Sequence, residues 1–304
     1  LTTLNELVNQ ISMEQKQHDV AVAAAADLEV LEAVDLAISR EIASFSLFDE
    51  EAKLRRMISK HYPHLLDHPK VRLYNASGAA KAASEAVKSV FTEESSVLMK
   101  GHIATAVLLK AVLNEEYGLR TENILSHVAA FEIQGFNRLI YVTDAGMNIT
   151  PNLKQKAQII RNAVHIARSL GVETPVVAPL AAVEVVNPAM PATMDAAALT
   201  VMNQRGQIKD CIVDGPLALD NAISTLAAEH KGISGDTAGK ADILVVPNIE
   251  SGNILYKSLV YFAQAKVGGV IAGAKAPIVL TSRADSAESK LFSLALALRS
   301  STIE

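Results

Sequence analysis

Apolar residues along this chain alternate between two rhythms. Leu4, Leu7, Val8 and Ile11 keep the i, i+3, i+4, i+7 spacing of a helix with one buried face. Val20 to Ala25 is then a short, wholly apolar run and predicts a buried strand. The exchange repeats: a helix over Leu28 to Ile38, a strand over Ile42 to Phe45, and a charged helix over Glu50 to Lys60 with Asp49 as its N-cap. Val71 to Tyr74 and Val97 to Met99 predict strands, the first followed by an Ala-rich helix to Val90, the second by a helix over Ile103 to Leu113. A loop of small and polar residues leads to a strand over Arg138 to Val142. The next helix has Pro151 in its first turn and runs to Leu170, with Gly171 as its stop signal. Pro175 to Ala178, Cys211 to Val213, Ile243 to Val246 and Val267 to Ala272 predict further strands, and Ser286 to Leu298 a further helix. Regular alternation of this kind predicts an α/β protein with predominantly parallel sheets. No repeat, low-complexity tract or flexible linker interrupts it.

The strand ends carry the chemistry. Apolar runs stop at Lys100-Gly101-His102, at Thr143-Asp144-Ala145-Gly146 and at Asp214-Gly215-Pro216. Two more stop at Asn248-Ile249-Glu250-Ser251-Gly252-Asn253, followed by Lys257, and at Thr281-Ser282-Arg283-Ala284-Asp285. In open α/β sheets the carboxyl ends of parallel strands share one edge, and ligands bind there against helix amino ends. Lys100, Gly101, Thr143, Asp214, Gly252, Asn253 and Lys257 are therefore the candidate substrate-binding residues. An Arg283 fork beside a helix start suits phosphate, through paired hydrogen bonds and the helix dipole together.

Purely structural readings compete at each place. Ser282-x-x-Asp285 and Asp285-x-x-Glu288 both match capping boxes. Ser251 or Asn253 would cap the helix after the Asn248 turn. Gly268-Gly269-Val270-Ile271-Ala272-Gly273 fits neither nucleotide-loop pattern and reads better as a buried strand with close backbone packing. His61, His64 and His68 alternate with Pro63 and Pro69 in a polar loop that no acidic or Cys cluster completes, so no metal site is expected. Asp144, Asp214, Asp220 and Asp242 serve equally as cation ligands or as caps.

Composition narrows the picture. Half of the 304 residues are hydrophobic, yet only 4% are aromatic and Trp is absent, so the core is built from Ala, Val, Leu and Ile, as in covered parallel sheets. A formal charge of −5 argues against wholesale binding to nucleic acid or an anionic membrane. An anionic ligand then needs a local cluster of cations and N–H groups. The single Cys211 excludes an internal disulfide and reads as a buried strand thiol in a reducing compartment. No apolar run approaches the roughly 18–20 residues of a membrane span. A soluble cytoplasmic protein is the expectation.

Three blocks then occur in a specific order. Val213-Asp214-Gly215-Pro216-Leu217-Ala218-Leu219-Asp220-Asn221-Ala222 is followed by Gly252-Asn253-Ile254-Leu255-Tyr256-Lys257. Last comes Pro277-Ile278-Val279-Leu280-Thr281-Ser282-Arg283-Ala284-Asp285-Ser286-Ala287-Glu288. Together they resemble the phosphate acetyl/butyryltransferase family, from about residue 70 onward. The last block and Leu98-Met99-Lys100-Gly101-His102 look more like phosphate butyryltransferases than phosphate acetyltransferases.

The resemblance implies a two-domain α/β fold similar to isocitrate and isopropylmalate dehydrogenases, with mainly parallel sheets and a cleft between the domains. One domain would be discontinuous, over 1–130 and 270–304, and the other would span 131–269. The implied reaction is reversible transfer of a butyryl or related short or branched acyl group between CoA and inorganic phosphate. Attack would be direct, in a ternary complex, with no metal or redox cofactor. It would feed an acyl-phosphate (butyrate) kinase, and the protein would be a homodimer or larger homo-oligomer. The family's active-site Ser and Arg fall on Ser282 and Arg283. The position of its proposed base falls on Ser289, leaving Asp285 and Glu288 as the nearest carboxylates, and its cleft Cys falls on Ala145. A CoA thiol with a pKa near 8.5 needs a base or a positive setting to react as thiolate. Acetyl transfer by the same mechanism, a nicotinamide-dependent decarboxylating dehydrogenase of the same fold, and a non-catalytic CoA-binding relative remain as alternatives.

Overall fold

The computed structural model describes residues 2–14, 18–233, 235, 237–281 and 285–301. The fold is mixed α/β, with strands that are mostly parallel. The chain divides into two compact units: a split unit of Leu4–Asn123 and Gly268–Glu304, and an inserted unit of Ile124–Val267 with Leu1–Thr3.

The split unit begins with α1 (Leu4–Met13), β1 (Asp19–Ala23), α2 (Leu28–Ser39), β2 (Ser44–Asp49) and α3 (Glu51–His61). It continues through β3 (Val71–Asn75), α4 (Ala79–Phe91), β4 (Val97–Lys100) and α5 (Thr105–Val112). Every residue of β1 is buried, as expected for a parallel strand covered on both faces. Ala82, Ala83, Ala86, Val87 and Val90 give α4 a buried stripe of mostly small side chains, which lets it lie close over the sheet.

The inserted unit contains β5 (Ser126–Glu132), β6 (Ile140–Thr143), α6 (Leu153–Ser169), β7 (Val176–Pro179) and α7 (Pro191–Gln204). Next come β8 (Ile212–Val213), α8 (Leu219–Ile223), α9 (Thr225–His230), β9 (Ile243–Val245) and α10 (Ile249–Tyr261). Its strand order is β5-β6-β9-β7-β8, antiparallel between β5 and β6 and parallel thereafter. Phe131, Ile140, Val142, Ala178, Leu244 and Val246 belong to its core, with Leu255, Tyr256 and Leu259 of α10 packed against them.

Strand β10 (Lys266–Ala272) leads back into the split unit, followed by β11 (Ile278–Val279) and α11 (Ala287–Ser300). There the order is β3-β2-β1-β4-β11-β10, parallel except between β11 and β10. The chain winds outward from β1 through β2 to β3 and then returns to place β4 on β1's other side. The reversal makes the β1/β4 seam a topological switch point, where sheets of this kind open a crevice at the strands' carboxyl ends.

Several local expectations need correction. Residues after Leu113 are not all loop, because β5 is a buried strand paired with β6 from Val128↔Thr143 to Phe131↔Ile140. Asp49 does not cap α3. Strand β2 runs on through it, and its carboxylate accepts the N–H groups of Ala26 (2.9 Å) and Glu50 (2.8 Å), while Asn75 accepts that of Glu51 at 3.1 Å. Pro151 precedes α6 rather than joining its first turn; Asn152 is the cap, in a reciprocal box with Gln155. Neither Ser251 nor Asn253 caps α10, since Asn248 accepts the Ser251 N–H at 3.0 Å. For α11 the cap is Ser286, which accepts the Ser289 N–H, in place of the box that Asp285 and Glu288 suggest. The Gly268 expectation holds. A Cβ there would lie 2.8 Å from the Phe292 backbone, so helix and strand approach more closely than any side chain permits.

Candidate functional site

A cleft of about 360 Å³ opens at the switch point of the split unit. The turn after β4 supplies Lys100 through Thr105, the start of α2 supplies Asp27, Glu29 and Val30, and the segment after β11 supplies Thr281. Lys290 comes from the first turns of α11. Gly101 makes this arrangement possible. Its N–H donates to Ala23 O at 2.8 Å, and a Cβ would stand 2.1 Å from Ala24 O and 2.6 Å from Ala23 O. The β4 turn can press onto the end of β1 only because no side chain intervenes.

The polar groups of this cleft are tied to neighbours. The Asp27 carboxylate caps α2 by accepting the Glu29 and Val30 N–H groups at 3.0 and 3.3 Å, and it pairs with His102 Nδ1 at 3.1 Å. The Lys100 Nζ donates to the carbonyls of Gly101 (3.3 Å) and Ile103 (3.1 Å). The Lys290 side chain is 5% exposed, and its Nζ reaches Glu29 Oε2 at 3.3 Å. Two ammonium groups and a buried Thr thus line one small space where the fold places ligands.

Other candidates lie at strand ends of the inserted unit. Thr143 ends β6 fully buried, its hydroxyl donating to His127 O at 2.8 Å. Next to it, the Asp144 carboxylate accepts N–H groups from Gly146 (2.9 Å), Met147 (2.8 Å) and Asn148 (3.2 Å), and the Asn148 amide at 2.6 Å. Those contacts order the turn and make Asp144 a structural anchor. Asp214 follows β8 and accepts the Thr237 hydroxyl. Gly252 is buried in α10, where a Cβ would meet Asp144 O at 2.7 Å, so its place is set by close packing. Asn253 and Lys257 lie on the exposed side of the same helix.

Asp220 pairs with Lys231 at 3.1 Å, and hydrogen bonds from Lys231 and its own turn hold its carboxyl below the ordinary range. Asp242 accepts the Val176 N–H and pairs with Arg138, yet burial still pushes its carboxyl upward. His64 is bonded to Asp35, and His68 accepts the Lys70 N–H. Among the described residues no group of three His, Cys, Asp or Glu side chains is placed to hold a metal ion. Cys211 is buried beside β8, and burial, aided by the Asp210 charge, pushes its thiol up to about 11, which suits a structural role.

Ser282 and Arg283 lie outside the described residues. Asp285 and Glu288 flank the start of α11, half-buried and exposed respectively. The split-unit cleft keeps Thr281 of the last strand end and adds Asp27, Glu29 and Lys290 to the residues that strand-end reasoning selected. Their sequence signal was slight. A charged residue at a helix start reads as a solvated cap until packing shows otherwise, and Lys290 stands at the head of the long apolar run of α11.

Comparison with known proteins gives consistent results. A family model described as phosphate acetyl/butaryl transferase matches residues 75–298. A relative from Bacillus subtilis (strain 168), named a probable phosphate butyryltransferase, is 54% identical over 295 residues, which is 97% of each chain. One from Thermotoga maritima, named a phosphate acetyltransferase, is 48% identical over 286 residues, covering 92% of this chain and 94% of the relative. The crystal structure of a branched-chain phosphotransacylase from Enterococcus faecalis V583 superposes with a TM-score of 0.84 at 39% identity, covering 94% of this chain and all of that one.

Proposed function

This chain belongs to the phosphate acetyl/butaryl transferase family, and on that premise we propose that it is an acyltransferase moving a short acyl group reversibly between CoA and inorganic phosphate. Butyryl and related branched groups are its preferred cargo. In one direction a phosphate oxygen attacks the thioester carbonyl and the CoA thiolate leaves; in the other, the thiolate attacks an acyl phosphate. Carbonyl attack puts negative charge on oxygen, so the site needs donors aimed at that position. It also needs a cation to hold phosphate against the electrophile, and alignment of both substrates in one ternary complex.

The observation that carries this reading is full-length similarity to enzymes of this class, joined to a lysine-lined cleft at the sheet's switch point. In the proposal Lys100 and Gly101 bind substrate there. Arg283 holds phosphate, Ser282 stabilises the oxyanion, and Asp285 or Glu288 serves as base. Asp214, Asn253 and Lys257 contribute substrate contacts, while Thr143 and Gly252 serve by holding the β6 end and α10 in place. The reading extends to the two-domain architecture of isocitrate and isopropylmalate dehydrogenases and to a homodimer or larger assembly. It extends also to a cytoplasmic setting and an acyl-phosphate kinase as pathway partner. No described helix is long and apolar enough to cross a membrane.

The deciding experiment follows thiol release from butyryl-, isobutyryl-, valeryl- and acetyl-CoA with and without phosphate. Phosphate-dependent release, fastest with the four- and five-carbon thioesters and reduced about 100-fold in Arg283→Ala, is the expected result. Release fastest with acetyl-CoA would shift the assignment to acetyl transfer. NADH formation from a hydroxy acid without any thiol release would overturn it.

A further inference from the structure

We infer that Lys290 is a phosphoryl-binding residue of the split-unit cleft, and that Glu29 is the counter-ion it exchanges for the incoming anion. The identity of that anion rests on the acyl-transfer reading; the existence of the site does not.

The chain carries an internal control for this inference. The other deeply buried lysine among the described residues, Lys156, has a side chain 8% exposed and is held by Asp195 at 2.7 Å, the length of a strong charge-assisted bond. Lys290 is as deeply buried, but Glu29 stands 3.3 Å away on a side chain that is 49% exposed. An ammonium has three N–H donors. Burial makes unmet donors costly, more so for a charged group. Among the described residues only this one long contact serves Lys290. Lys156 is a closed ion pair, whereas Lys290 is a buried cation on a loose tether, lining an open space.

The surroundings favour an anion as the missing partner. Asp27 is already committed to the α2 amino end and to His102, so its oxygens are engaged in hydrogen bonds away from Lys290. Lys100 lines the same space, and so does Thr281. If the Glu29 side chain turns outward, two ammonium groups and a hydroxyl remain around a volume that accommodates a phosphoryl group. Release of Glu29 is cheap, because its carboxylate is half in water and stands in the first turn of α2, where the helix dipole favours negative charge. Phosphoryl oxygens can then form the short bonds to Lys290 that Glu29 does not.

Two sources share this chemistry, inorganic phosphate and the phosphate groups of CoA. The test measures KM for phosphate and for butyryl-CoA, and the separate binding of phosphate and of CoA by calorimetry, in the full chain and in Lys290→Met, Lys290→Arg and Glu29→Gln. Lys290→Met should weaken one of the two ligands by about tenfold or more, and Lys290→Arg should recover part of the loss. Glu29→Gln should tighten the same ligand by roughly threefold, since it removes the competing carboxylate. The affected ligand identifies the source. Opposite signs for the two positions are the signature, because a merely structural ion pair weakens in the same sense from either side. Unchanged affinity for both ligands in Lys290→Met, or Glu29→Gln acting in the same direction as Lys290→Met, would overturn the inference. Should Lys290→Met not fold, Glu29→Gln decides alone: tighter binding supports the site, unchanged or weaker binding refutes it. Absence of thiol release in the parent chain would count against the acyl-transfer reading, while the binding measurements would still judge the site.

Discussion

Gly101 shows how much one missing side chain can decide. Its would-be Cβ overlaps the carbonyl oxygens of Ala23 and Ala24, all of it rigid backbone at the end of β1. Gly101→Ala must therefore push the β4 turn away from β1 or break their hydrogen bond. The expected cost is at least about 1–3 kcal/mol, with loss of substrate binding at the cleft. Thermal unfolding and phosphate affinity measured together check this, and an alanine variant with parent stability and parent affinity would contradict it. The residue was legible beforehand only as part of a Lys-Gly-His strand end. Its reason, a close approach between two strands distant in sequence, belongs to the folded chain.

Among the elements, caps and pairings account for most differences between expectation and structure. Alternating apolar runs located nearly every strand and helix, because burial on both faces of a parallel sheet leaves a strong apolar signature. Strand β5 escaped because Ser126 and His127 at one end and Glu132 at the other bracket its short apolar stretch, and because its partner β6 lies beyond a turn. Cap positions slid by a residue or more wherever several cap-forming side chains stood together, as at Asp285-Ser286 and Asn248 to Asn253. Asn152 is the clearest capping box, with both bonds of the box at 2.9 Å. Asn152→Ala should cost about 1 kcal/mol, read as a lower denaturant midpoint at unchanged slope. Pro151→Ala removes neither bond and should cost less. The reverse order would show that the proline, not the asparagine, sets the start of α6.

On the scale of the whole molecule, the split unit is completed by chain that arrives late. Strand β11 pairs with β4 at Ile278↔Leu98, and α11 packs on α1 and α2, with Arg299 bonded to Glu14 at 2.6 Å and Gln10 at 3.1 Å. Most of α11 is buried, from Lys290 to Leu298. A chain stopped after Val267 therefore leaves the faces of α1 and α2 uncovered and β4 without its β11 neighbour. Hydrogen exchange on that chain should show protection lost in β1, β2 and β4 while β6, β9 and β7 of the inserted unit keep theirs. Persistent protection in β1 and β4 would mean that α11 is dispensable to the unit. This dependence also explains why the candidate site was only half legible. Lys100 and Gly101 announce themselves at a strand end, but Glu29 and Lys290 become neighbours only when segments 261 positions apart close on one another.

The same late closure bears on synthesis. While a ribosome is still translating the inserted unit, the growing polypeptide already holds the turn after β4 but lacks Thr281 and Lys290, which follow only with β11 and α11. A half-made molecule thus has the α2 and β4 sides of the cleft but not the buried ammonium of Lys290. On the role inferred for Lys290, competence for the anion arrives only with the closing stretch of translation, and a product terminated before α11 should fail to bind phosphate or CoA.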